Sequence, residues 1–232
     1  MMIFLSSNSD NPALFVIVVL LALFALLWST YMRSLRRKAL SEWAGSHNLN
    51  FDEYLDNSTD ETYPQFACLQ RGENRYSYNH ILGKWKEREY CGFDYHYKTG
   101  SGRSTRHHHF SAVILTSSIP LKPLAIRPEG FIDKISEFFG HEDINFESTE
   151  FSSEFFVKAQ DKKWAFDVIQ QDTMRSMLDS PRFLIQFGKD CVIDYGTIRF
   201  RPQEFGEAAD LIAGILDRIP DYVKEAQRSS IN

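Results

Sequence analysis

KWKEREYCGFDYHYKTGSGRSTRHHHFSAVILT, residues 84–116, is the stretch that decides the fold. In its first half Cys91, Phe93, Tyr95 and Tyr97 alternate with Gly92, Asp94 and His96, the period of two that marks a strand with unlike faces. TGSG at 99–102 is a turn, because glycine takes up backbone conformations that other residues resist. HHHFSAVILT then reads as a second strand with a buried FSAVIL portion. Two strands joined by so short a turn run antiparallel.

Upstream, RYSYNHIL (75–82) is a further strand and Gly83 marks a turn, so the region is an antiparallel meander. DEYLDNSTDET (52–62) is acidic and turn-rich and reads as an exposed loop. Downstream, the three prolines of PLKPLAIRP (120–128) impose an extended chain. Residues 130–140 put Phe131, Ile132, Ile135, Phe138 and Phe139 on one face of a short helix, which core packing suits. FFVKA is a strand, WAFDVI either a strand or the entry to a helix, and QDTMRSML a helix. RFLIQF and CVIDYG form a hairpin around Gly188-Lys189-Asp190, and TIRFRP ends the sheet. Phe205, Ala208, Ile212, Ile215 and Ile219 line one stripe of a closing helix that Pro202 opens. The polar tail after it is expected to fray.

At the other end, ALFVIVVLLALFALLW (13–28) is an unbroken apolar run. Extended to Met32 it gives about 20 uncharged residues, roughly 30 Å as a helix, which matches a bilayer's hydrocarbon core. Residues 1–12 hold no Lys or Arg and STYMRS is a poor cleavage site, so the run reads as a retained anchor and not as a signal peptide. Arg33, Arg36, Arg37 and Lys38 follow it, whereas only Asp10 and the α-amino group precede it. Basic flanks stay in the cytosol, so the N-terminus is expected outside and the C-terminal body inside.

The expected class is therefore α+β: a transmembrane helix followed by a soluble body of antiparallel sheet with a few packed helices. The expected organisation is a tail at 1–11, the span at 12–32, a basic helical stalk at 33–50, a β-rich subdomain at 51–127, an α+β subdomain at 128–222 and a frayed tail at 223–232. Beyond the anchor and its basic cluster the chain has 22 basic and 30 acidic residues, about −8. That balance argues against nucleic acid as a partner. Cys68, Cys91 and Cys191 are odd in number and widely spaced without a CxxC pair, as expected of a reducing compartment.

Three local features carry candidate chemistry. His107 and His109 face one way on their strand, and pairing across the turn brings His96 near them. Imidazoles so grouped are transition-metal ligands. GSGRSTR (100–106) offers Arg103 and Arg106 to an anion, but it has no P-loop lysine spacing and no following helix. The carboxylates Glu147 with Glu150 and Asp161 with Asp167 are explained as caps and solvated faces. No GxSxG, HExxH or GxGxxG occurs, and no cofactor is expected.

The stretch from about 120 to 222 resembles a group of uncharacterised bacterial single-span membrane proteins, known only as a domain of unknown function. The shared features are Ile126-Arg127-Pro128-Glu129-Gly130, Ile144-Asn145-Phe146-Glu147-Ser148, Glu150-Phe151-Ser152, Phe156-Val157, Asp161, Ala165, Met174 and Asp217-Arg218-Ile219-Pro220. The resemblance implies a bacterial cytoplasmic membrane and brings no reaction with it. The function expected from the sequence is a non-enzymatic interaction or sensing domain that binds a protein partner and meets the lipid bilayer through residues 12–32. The alternatives are a metal-dependent enzyme using His96, His107 and His109, and an anionic-lipid or phosphate module using Arg103 and Arg106.

Overall fold

The computed structural model describes residues 12–130 and 144–229. The tail at 1–11 and all but Gly130 of the helix expected at 130–140 lie outside them. The chain divides at Ala39/Leu40 into two compact units.

The first unit carries helix α1, Pro12–Ser46, as far as Ala39. By length and composition this helix is able to cross a membrane. Its large apolar side chains from Leu14 to Met32 are 40–72% exposed. The helix continues through the basic cluster and ends in a Schellman turn. There Asn48 adopts the left-handed φ of 57°, and the N–H of Leu49 donates to the carbonyl of Ala44 at 2.9 Å.

The second unit begins at Leu40. Its described residues form one eight-stranded antiparallel sheet. The strands are β1 (Asn50–Asp52), β2 (Glu73–Trp85), β3 (Arg88–Thr99), β4 (Arg106–Thr116), β5 (Leu124–Pro128), β6 (Phe155–Ala159), β7 (Leu184–Phe187) and β8 (Cys191–Tyr195). Their order across the sheet is β1-β2-β3-β4-β8-β7-β5-β6. The β2–β3 turn lies at Lys86–Glu87, both at positive φ as a two-residue hairpin loop requires. Gly83, expected as the turn, lies within β2, where a Cβ would stand 2.8 Å from Leu49.

The helices of the body are α2 (Thr59–Thr62), α3 (Thr149–Glu154), α4 (Lys162–Val168), α5 (Gln171–Leu178), α6 (Pro202–Arg218) and α7 (Asp221–Ser229). One face of the sheet, with Val113, Leu115, Ile126, Val157, Ile185 and Val192, packs on Phe205, Ala208, Ala209 and Ile212 of α6. Trp43 joins this core, stacked on Trp85 at 6.2 Å and on His47 at 4.5 Å. The opposite face buries Phe93, Tyr95, Phe110, Ile114 and Tyr195 beneath Phe66, Cys68 and Leu69. WAFDVI is helical, capped where the N–H of Trp164 donates to the Asp161 carboxylate at 3.1 Å.

Several expectations are corrected. Strands from both sides of the boundary placed at 127/128 share the sheet: β5 straddles it, and β8 pairs with β4. Separate halves would leave the long edges of β4 and β8 unpaired, which a continuous sheet avoids. Within the tail taken to fray from 223, residues through Ser229 are helical, because Val223 and Gln227 fall one turn apart and bury the same side of α7. TIRFRP leaves the sheet after β8, and Phe200 turns into the core. Loop 52–62 is partly internal, with Thr59 and Asp60 buried and Asp60 paired to Arg75 at 2.6 Å.

Candidate functional site

The histidines named from sequence do converge. β3 and β4 pair His96 with His109 and Lys98 with His107. His96 is buried and stacks on Tyr76 at 4.5 Å. Its Nδ1 lies 3.0 Å from the carbonyl of Asn74, which only accepts, so Nδ1 carries the proton. Nε2 is then the acceptor for His107 Nδ1 at 2.9 Å. His109 lies 4.8 Å from His96 between ring centroids, and its Nδ1 is bonded to Tyr78 Oη at 3.1 Å. His108 points to the other face and stacks on Tyr97. Burial first, and neighbouring His107 and His108 after it, lower the pKa of His96 against the pull of the Asn74 carbonyl. Burial, then His96 and Arg199, push His109 down to about 4. Both rings are therefore neutral at neutral pH. As they stand, both His96 nitrogens are engaged, by Asn74 and His107, and the Nδ1 of His109 is bonded to Tyr78. Among the described residues no three His, Cys, Asp or Glu side chains have metal-holding geometry.

Arg103 and Arg106 are exposed at the β3–β4 tip. The amides of Ser104 and Thr105 are taken up by the carbonyls of Ser101 and Gly102, so this turn does not present them to a phosphate. Arg33, Arg36, Arg37 and Lys38 lie on α1 directly after the apolar stretch.

A second site was not anticipated. On the sheet face opposite α6, a half-open groove of about 760 Å³ separates loop 54–65 from β2, β3, β4 and the start of β8. Leu82, Cys91, Phe93 and Ile114 line it from the sheet, and Tyr54 and Tyr63 from the loop. A chain of polar groups braces the loop side. The Asp56 carboxylate accepts from the Ser58 amide at 2.8 Å and from the Thr59 hydroxyl at 2.9 Å. Thr59 Oγ1 bonds Ser77 Oγ, which bonds His80 Nε2 at 2.8 Å. Because Thr59 gives its proton to Asp56, each later member donates back toward it, and His80 donates from Nε2. Tyr54 stacks flat on His80 at 4.1 Å.

The groove's electrostatics follow from this packing. Burial raises the Asp56 pKa, but the bonds from Ser58 and Thr59 outweigh it, and the carboxylate stays below its usual range. Burial lowers His80 against the opposing pull of Asp56. Burial also pushes the thiols of Cys91 and Cys191 up to about 12, so both are protonated at neutral pH. Sequence offered little warning, because Asp56 and Thr59 sit in a segment that reads as solvated loop and His80 in an ordinary strand.

The described structure is thus an α+β protein with one N-terminal helix able to cross a membrane. No family model matches the chain, and no curated protein does. Its fold is similar to the crystal structure of the mycobacterial trehalose monomycolate transport factor A, TtfA. The TM-score is 0.57 at 9% identity, and the alignment covers 78% of this chain and 93% of that one.

Proposed function

We propose that the chain is a membrane-tethered, non-enzymatic interaction domain of the bacterial cytoplasmic membrane, anchored by residues 12–32 with its body in the cytosol. The observation that carries this reading is the stretch from Leu14 to Met32, apolar and with its large side chains exposed, followed at once by Arg33, Arg36, Arg37 and Lys38. The body's likeness in fold to a transport factor fits a tethered module that passes on or positions something at the membrane and does no chemistry on it. The resemblance of 120–222 to single-span bacterial proteins supports the same compartment.

The test uses the full chain in bacterial cells. It should resist alkaline carbonate extraction. A phosphatase fused after Asn232 should be inactive while a fluorescent protein there is bright. Photo-crosslinkers placed at the exposed apolar residues Leu55, Phe166, Ile198 and Tyr222 should yield discrete protein adducts. Extraction by carbonate, or an active phosphatase, overturns the anchor or its orientation. Adducts to lipid alone overturn the protein partner.

A second reading rests on one observation: His96 is fixed through Nδ1 by a backbone carbonyl, as metal-binding histidines are, and its Nε2 meets His107. A metal in place of the shared proton, with His109 rotated off Tyr78, gives a three-histidine site. Zinc, nickel and copper analysis of the purified full chain tests it. Metal content that is substoichiometric and unmoved by His96→Ala removes this reading.

A further inference from the structure

The sheet carries a full helical layer on one face, but loop 54–65 covers the other only in part. A groove is left with an apolar floor of Leu82, Cys91 and Ile114. Its volume, about 760 Å³, falls in the range of roughly 300–1,000 Å³ that small-molecule sites occupy. Tyr54, which lines it from the loop, is 45% exposed, so the apolar lining reaches from the floor to the solvent. A floor of this kind favours hydrocarbon by the area it removes from water.

The polar groups at the groove have one predominant sign. Asp56, Glu89 and Asp190 line it against Lys189 alone. Lys84 stands 3.8 Å from Glu89 and screens it in part. Asp56 is held ionised by its hydroxyl and amide donors, and Asp190 is exposed. Such a mouth repels carboxylate and phosphate heads and accepts ammonium or hydroxyl donors. The Asp56–Thr59–Ser77–His80 chain and the Tyr54 stack hold the wall in place, so the cavity exists before anything enters it.

We propose that this groove is a binding site for a single-chain amphiphile with an amine- or hydroxyl-bearing head, its chain along Leu82, Cys91 and Ile114 and its head toward Asp56 and Asp190. The site belongs to the body alone and does not depend on the orientation of the anchor.

The test uses the full chain in phosphatidylcholine nanodiscs with two diazirine probes, sphingosine and palmitate. Each is supplied either from water or within the bilayer. Sphingosine should label peptides containing Tyr54, Leu82 or Cys91 in at least one arm, and palmitate should label them about tenfold less. Labelling in the aqueous arm alone assigns a free amphiphile, and labelling in both a membrane lipid. Cys91→Phe, which fills the floor, should cut labelling about tenfold with the unfolding midpoint retained. Exposed Asp190→Asn should narrow the preference for sphingosine over palmitate. Labelling spread evenly along the chain, equal labelling by palmitate, or groove labelling unchanged in a folded Cys91→Phe protein overturns the proposal.

Discussion

His96 and His107 share a hydrogen bond, Nε2 to Nδ1 at 2.9 Å, across the β3–β4 ladder. Lys98 and Arg199 are the cations that act on this patch, at His96 and His109 respectively. His109 falls to about 4, and His96 and His80 are also lowered from 6.5, each mainly by burial. A depressed folded-state value means that the unfolded chain binds protons first as pH drops. These histidines therefore contribute stability above pH 6.5 that is lost on the way down to about 4. Thermal midpoints of the full chain between pH 7.5 and 4.5 should fall, and His109→Gln should make the fall shallower. An unchanged slope in His109→Gln would rule out its part.

Asp194 carries the opposite sign. It is fully buried on β8, in register with Val113 of β4 and Ile185 of β7, and neither carboxyl oxygen has a hydrogen-bond partner. Burial raises its pKa well above the usual 3.8. An acid raised in the folded state is harmless below its unfolded value and costs stability as pH rises through its folded one. Asp194→Asn should leave the midpoint nearly unchanged at pH 4 and raise stability by about 1–3 kcal/mol at pH 9. Calorimetry at the two pH values checks this, and a variant that loses stability at pH 9 refutes it.

Trp43 is 8% exposed and packs on Trp85, His47 and Phe205 at centroid distances of 6.2, 4.5 and 6.1 Å. Gly206 of α6 leaves room for it, since a Cβ there would sit 3.1 Å from the indole. Trp43→Ala should lower the body's unfolding free energy by about 3–5 kcal/mol. Leu26→Ala, on the exposed apolar stretch, should change it by less than about 0.5 kcal/mol. Denaturant titration followed by far-UV circular dichroism distinguishes the two.

What could be read in advance was local. The two-residue period of Cys91, Phe93, Tyr95 and Tyr97 gave β3, and the stripe from Phe205 to Ile219 gave α6, because both patterns repeat within one element. His96 with His109 was legible because a short turn sets the register of the strands it joins. The β4–β8 pairing was not, since it joins Val113 to Asp194 across a long sequence separation and rests on edge satisfaction, which no window contains. The groove was hidden for the same reason. Asp56, the β2–β3 residues His80 and Cys91, and Cys191 come from three separate parts of the sequence, and Asp56 and Thr59 look solvated until Ser77 is seen beneath them.

The most informative stability experiment lies where β4 holds the chain after β8. Ser111 is fully buried. Its hydroxyl donates to Asp94 at 2.5 Å and accepts from the Phe200 amide at 2.9 Å, while its backbone receives Gly196 and donates to Ile198. Asn79, at the left-handed φ of 54° beside the β2 bulge, donates to the second Asp94 oxygen at 2.9 Å. One carboxylate thus joins the β2 bulge to the segment that leads into α6. Ser111→Ala removes the bonds from the Phe200 amide and to one Asp94 oxygen, and should cost about 1–3 kcal/mol. Asp94→Ala removes the acceptor of both Asn79 and Ser111, and should cost about 2–5 kcal/mol. Because both variants break the same bond, the double variant should cost less than the two added, by at least about 0.5 kcal/mol. Additive losses in the double-mutant cycle would mean that Asp94 and Ser111 act separately.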